Sequence, residues 1–62
     1  GMIGTKATVV SYSPEKGDGR IQTRGELWHF RLKKKGVSLS AGDEVVIKDA
    51  DGMTFIVEKE EV

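Results

Sequence analysis

Apolar residues along this chain come in short alternating runs, and glycines divide one run from the next. Alternation with a period of two places successive side chains on opposite faces of a strand. No segment keeps a 3.6-residue apolar period over three turns, so no long helix is expected. The first run, Thr5 to Tyr12, predicts strand one. Ser13-Pro14-Glu15-Lys16-Gly17-Asp18-Gly19 predicts the turn after it, with proline at an early turn position and glycine supplying positive φ. Strand two is expected over Arg20 to Thr23, with Ile21 inward, and Arg24-Gly25 reads as a tight turn. Strand three then runs from Glu26 to Leu32; Trp28, Phe30 and Leu32 share one face, and Leu27, His29 and Arg31 share the other. Strand four is expected over Glu44 to Lys48, with Val45 and Ile47 inward. Asp49-Ala50-Asp51-Gly52 is a hairpin signal leading to strand five, Met53 to Glu58, with Met53, Phe55 and Val57 inward. Glu58-Lys59-Glu60-Glu61 is a polar end expected to fray.

Strands this short must hide their edges, and closing the sheet into a small barrel removes them. The expectation is an all-β, five-stranded OB-type barrel without a long helix, with an SH3-like barrel as the nearest competitor. Lys33 to Ala41 is too short and too poor in helix signals for the capping helix that many OB folds carry there. The expected core is Ala7, Val9, Ile21, Trp28, Phe30, Leu32, Val45, Ile47, Met53, Phe55 and Val57. Residues 1–62 are read as a single domain of this kind.

Composition narrows the function classes. A chain of 62 residues buries only about 60% of its unfolded surface, so its stability rests on one compact core. It has no cysteine, which removes disulfides and thiolate metal sites. Ten Lys and Arg balance ten Asp and Glu, so the basic excess usual in a dedicated nucleic-acid binder is missing overall. No stretch approaches the roughly 20 apolar residues of a membrane span, and no apolar run follows a basic start. Glycine before methionine at the start, Gly1-Met2, reads as an expression scar, which suggests an engineered fragment, from which membrane segments have been cut away, or a tagged small protein.

Several motifs imitate chemistry without its context. Ser13-x-x-Lys16 matches the Ser-x-x-Lys pattern of penicillin-binding enzymes, but Pro14 and Gly17 set it in a turn instead of on a helix. Asp49-x-Asp51-Gly52 with Glu58 imitates the later part of a calcium loop, yet Ile47 holds the first ligand position and strands flank it. His29 is the only histidine, and a lone histidine without cysteine builds no zinc site. No catalytic residue, metal or cofactor is therefore assigned, and the chain is read as a non-enzyme. The outer face of strands two and three carries Arg20, Gln22, Leu27, His29 and Arg31, the face on which OB folds commonly bind. Lys33, Lys34 and Lys35 form a basic run beside it, and these eight residues are the candidate partner-binding set.

Two families share parts of this pattern. Glu15-Lys16-Gly17-Asp18-Gly19-Arg20-Ile21 and Leu27-Trp28-His29-Phe30 resemble the two RNA-binding motifs of the cold-shock domains. That resemblance implies a single-stranded nucleic-acid binder, the alternative function. The two stacking phenylalanines of the first motif are Asp18 and Arg20 here, and the Trp-Phe-Asn of that family's first strand is Val10-Ser11-Tyr12. The second resemblance covers nearly the whole chain and is to the C-terminal soluble domain of the NfeD (nodulation efficiency protein D) family. Ile3-Gly4-Thr5-Lys6-Ala7-Thr8-Val9, Gly19-Arg20-Ile21 and Gly25-Glu26-Leu27-Trp28 follow its order, and the segment from Gly42 to Glu58 follows its ending. Phe30 stands where that family usually has a small alanine. The resemblance implies a helix-free OB barrel, transmembrane helices before it in the parent protein, and a stomatin-, flotillin- or prohibitin-type membrane scaffold as partner. It also implies a role as adaptor outside the bilayer, with self-association open and the cytoplasmic side favoured. Long members of the family add an N-terminal serine protease domain, none of which lies in this chain.

Overall fold

The computed structural model describes residues 1–60 and contains β1 (Lys6–Ser13), β2 (Asp18–Thr23), β3 (Glu26–Leu32), β4 (Glu44–Asp51) and β5 (Thr54–Lys59). The strands close into a barrel in the order β1-β2-β3-β5-β4. All neighbours are antiparallel except β3 and β5, which pair in parallel from His29↔Thr54 to Leu32↔Val57. This is the OB-type order, and closure leaves no free edge. No helix occurs among the described residues, including the connection after β3.

The inward positions of each strand meet in one core. Ile21, Phe30, Val45, Ile47 and Val57 are fully buried, with Ala7, Val9 and Phe55 nearly so. Each large aliphatic or aromatic side chain removed from water in this way contributes roughly 1.5–3 kcal/mol. Trp28 and Leu32 pack on this core but stay half-buried. Trp28 lies tilted against Phe55 with ring centroids 4.9 Å apart. Met53 is not core as expected: it is 79% exposed. Asp51 pairs with Thr54, so the hairpin tip is Gly52-Met53, one residue later than the Asp-Gly signal suggests. Met53 thus sits beyond the end of the barrel even though the alternation of β5 points it inward.

Two irregularities shape the barrel. Between Val9 and Ser11 the register of β1 against β2 shifts, so Val10 and Ser11 both face out and Tyr12 turns in. Tyr12 then stacks on Phe30 at 5.9 Å, a core contact that strict alternation from Val9 does not predict. Gly19 lies opposite Tyr12, and a Cβ on it would come within 2.0 Å of the Ser11 carbonyl oxygen. Only glycine lets the two backbones approach this closely. A second shift, between Ile47 and Asp49, lets β4 continue past Lys48 to Asp51.

Both ends of the described segment are hydrogen-bonded to the barrel. Gly4 N–H donates to the Ile47 carbonyl at 2.7 Å, and Glu60 N–H donates to the Glu44 carbonyl at 3.1 Å. Residues 58–60 are therefore paired with β4, where a frayed polar end was expected; Glu61 lies outside the described residues. Lys6 Nζ meets Glu60 Oε1 at 2.9 Å. That hydrogen bond and charge hold the Lys6 ammonium above its ordinary pKa of 10.5.

Candidate functional site

The outer face of β2 and β3 is organised by register. One row runs across the sheet through Thr8, Gln22 and Leu27. The next runs through Ser11, Arg20, His29, Thr54 and Asp51. A third holds Asp18, Arg31, Ile56 and Asp49. Arg20, Gln22, Leu27, His29 and Arg31 therefore form one continuous outward patch, as their strand parity dictates. Leu27 is 57% exposed at its lower corner, a large apolar side chain on an otherwise polar surface.

His29 ties three strands together. Its Nδ1 lies 2.9 Å from Thr54 Oγ1 on β5, and its Nε2 lies 3.1 Å from Asp18 Oδ2 on β2. Nε2–H donates to the carboxylate, and in the neutral ring Nδ1 accepts from the threonine hydroxyl. The order hydroxyl, imidazole, carboxylate is that of a nucleophilic relay. Here it spans an open sheet surface, with the His29 side chain about half exposed. A relay also needs converging oxyanion donors and exclusion of water. The arrangement acts as a cross-strand clamp that fixes the imidazole in the centre of the patch.

Two further ion pairs frame the patch. Arg31 Nη2 meets Asp51 Oδ2 at 3.4 Å, and Lys33 Nζ meets Glu58 Oε2 at 3.4 Å. The first is solvent-exposed and the second partly so, and pairs of this kind add little stability. Arg20 makes no ion pair among the described residues, so its charge is available to a partner.

The lysine run stands apart from the patch. Lys33 N–H still pairs with the Val57 carbonyl at 2.9 Å, extending β3, while Lys34 and Lys35 lie in the loop beyond. This loop faces the β1–β2 turn, which Leu32 N–H reaches through the Gly17 carbonyl at 3.1 Å. A groove of about 390 Å³ opens between them, lined by Tyr12, Lys16, Arg31 and the three lysines. Arg31 is the link between patch and groove. Sequence reasoning missed Lys16, Asp18, Thr54 and Asp51 as members of this surface. Thr54 and Asp51 arrive through the parallel β3–β5 contact, for which no local pattern gives a signal; Asp18 and Lys16 arrive because β2 starts two residues earlier than expected and its hairpin with β3 extends to Asp18↔Arg31.

The cold-shock comparison fails at the side chains. At the two stacking positions stand the charged Asp18 and Arg20, and Trp28 is turned inward against Phe55. Among the described residues the rows of this patch carry no Phe, Tyr or Trp ring, and its one imidazole, His29, is held by Asp18 and Thr54.

Strand order, closure and an outward polar patch with one exposed leucine define an OB-type barrel built around a surface instead of an enclosed pocket. The chain belongs to the NfeD family: the model of the NfeD-like C-terminal, partner-binding domain matches residues 1–59. It is 45% identical over 60 residues to a membrane-bound protease of Pyrococcus horikoshii, covering 95% of this chain and 13% of that protein. Among solved structures it resembles the C-terminal domain of a stomatin operon partner protein from Pyrococcus horikoshii. The TM-score there is 0.86 at 41% identity, over 98% of this chain and 91% of the other. It also resembles the soluble domain of a Corynebacterium glutamicum membrane protein implicated in regulation of membrane protease activity. There the TM-score is 0.77 at 27% identity, over 97% and 94% of the two chains.

Proposed function

We propose that this barrel is a non-catalytic adaptor of a larger membrane protein, and that it binds a stomatin- or flotillin-type membrane scaffold. The observation that carries the proposal is the patch itself: Leu27, 57% exposed, stands beside Arg20, which has no ion-pair partner among the described residues, and a clamped His29 on a three-strand surface. An apolar anchor ringed by polar groups is the usual anatomy of a binding surface. The family description as partner-binding, and a relative named for a stomatin operon, supply the class of partner. Arg20, Gln22, Leu27, His29 and Arg31 are its contact residues, with Lys33, Lys34 and Lys35 at the margin. In this reading the membrane attachment belongs to the rest of the parent; no helix of the described residues is long and apolar enough to span a bilayer. The domain sits outside the bilayer, on the cytoplasmic side in this reading.

Calorimetric titration against a purified stomatin-type scaffold tests this. Leu27→Ala combined with Arg31→Ala is expected to weaken binding by about tenfold or more, on the scale of a moderate hot spot, with the urea midpoint nearly unchanged. Unchanged affinity would remove this face as the contact surface.

A further inference from the structure

The groove at the lysine end has chemistry of its own. Its walls are the β1–β2 turn, which carries Lys16, and the loop after β3, which carries Lys34 and Lys35. Arg31 and Lys33 on its floor side are already paired with Asp51 and Glu58. Lys16, Lys34 and Lys35 have no ion-pair partner among the described residues, and Glu15 is the single carboxylate along the groove there. On a chain of zero formal net charge this concentrates unpaired positive charge at one place. The floor is apolar: half-buried Leu32, and Tyr12 held in position by its stack on Phe30.

We infer that this groove is a second docking site, one that takes an extended acidic peptide segment of a partner, with an apolar side chain resting on Tyr12 and Leu32 and carboxylates reaching Lys16, Lys34 and Lys35. The inference rests on the partner-binding reading and adds the chemistry of what is bound. Strand direction places the groove. β1 starts at the rim that also holds the Arg24-Gly25 and Gly52-Met53 hairpins, whereas the groove lies where β1 and β3 end. In a C-terminal domain the rest of the parent joins before β1, at the opposite pole. On the proposed function's reading the groove thus lies at the pole opposite that junction, which favours a soluble segment over lipid headgroups as its occupant. Unpaired lysines give such a site fast, salt-sensitive capture, and the fixed apolar floor gives it register.

A fluorescein-labelled peptide, Glu-Glu-Leu-Glu-Glu, titrated into the full chain with NMR detection, tests the site. Saturable shifts at Lys16, Leu32, Lys34, Lys35 and Gly36 are expected, diminishing as salt is added. Lys34→Glu with Lys35→Glu should weaken binding by about tenfold or more, because like charges then face each other, while the amide shifts of Ile21 and Phe30 show an intact core. Leu27→Ser should leave the peptide affinity unchanged even where it abolishes scaffold binding, so the two sites fail separately. Absence of binding, shifts spread evenly over Lys6, Lys48 and Lys59, or equal affinity of the charge-reversed variant would overturn the inference. So would groove-dependent binding of phosphatidylserine vesicles without binding of the peptide.

Discussion

Gly19 faces Tyr12 where β1 bulges, and its backbone lies so close to Ser11 that a methyl group has nowhere to go. The clash is with backbone atoms of a paired strand, so no rotamer change relieves it. Gly19→Ala is expected to cost on the order of 3 kcal/mol or more, at the top of the range for overpacking. Urea denaturation measures it, and a variant within about 0.5 kcal/mol of the parent, the scale of a neutral surface change, would show that β1 can move aside. Trp28 makes a different prediction. Its Nε1 is buried with no hydrogen-bond partner among the described residues, a penalty that the ring's packing on Phe55 offsets. Trp28→Ala should cost about 3 kcal/mol, whereas Trp28→Phe keeps the stacking and removes the unsatisfied donor, so it should fall within about 1 kcal/mol of the parent. Equal losses in the two variants would mean that the indole nitrogen finds a partner in solution. The inward and outward faces of β3 were legible in the sequence because Trp28, Phe30 and Leu32 alternate strictly with Leu27, His29 and Arg31. Tyr12 was not, because a bulge changes the parity of everything after it and leaves no trace in the local pattern.

At the level of single elements, the β2–β3 hairpin is the least comfortable. Thr23 pairs with Glu26, leaving a two-residue loop in which both Arg24 and Gly25 have positive φ, 51° and 78°. This is the type I′ pattern, whose twist suits a hairpin and whose first position favours asparagine or glycine. Arginine there adopts a left-handed conformation that its Cβ disfavours. Arg24→Asn is expected to stabilise the chain by about 0.5–1 kcal/mol, readable as a higher thermal midpoint. A lower midpoint would show that the Arg24 side chain contributes a contact worth more than the strain. The sequence announces this turn by its glycine. At the other hairpin of the same rim the signal misleads by one residue. Asp51-Gly52 looks like a turn centre, but Asp51 pairs with Thr54 and the tip moves on to Gly52-Met53. The register of β4 also shifts between Ile47 and Asp49, and Met53, at the hairpin tip, ends in solvent.

Across the whole molecule, the barrel separates three surfaces. One rim carries the start of β1 and two tight hairpins, the opposite rim carries the basic groove, and the side wall of β2 and β3 carries the candidate patch. The barrel and most of its core followed from alternation and turn chemistry, because both are local. The membership of the patch on its own strands also followed from parity. What local pattern leaves open is which distant residues complete it. Thr54 reaches His29 only through the parallel β3–β5 pairing, and Lys16 comes beside the lysine loop because β2 pairs with β3 as far as Asp18↔Arg31. The side wall is the part of this arrangement that an adaptor role depends on most. It is tested most directly by mapping backbone amide shifts of the labelled chain as a purified stomatin-type scaffold is added. Perturbation concentrated on Arg20, Gln22, Leu27, His29 and Arg31, with the Arg24-Gly25 and Gly52-Met53 tips silent, is the predicted result. Perturbation confined to those tips, or no perturbation at saturating scaffold, would contradict it.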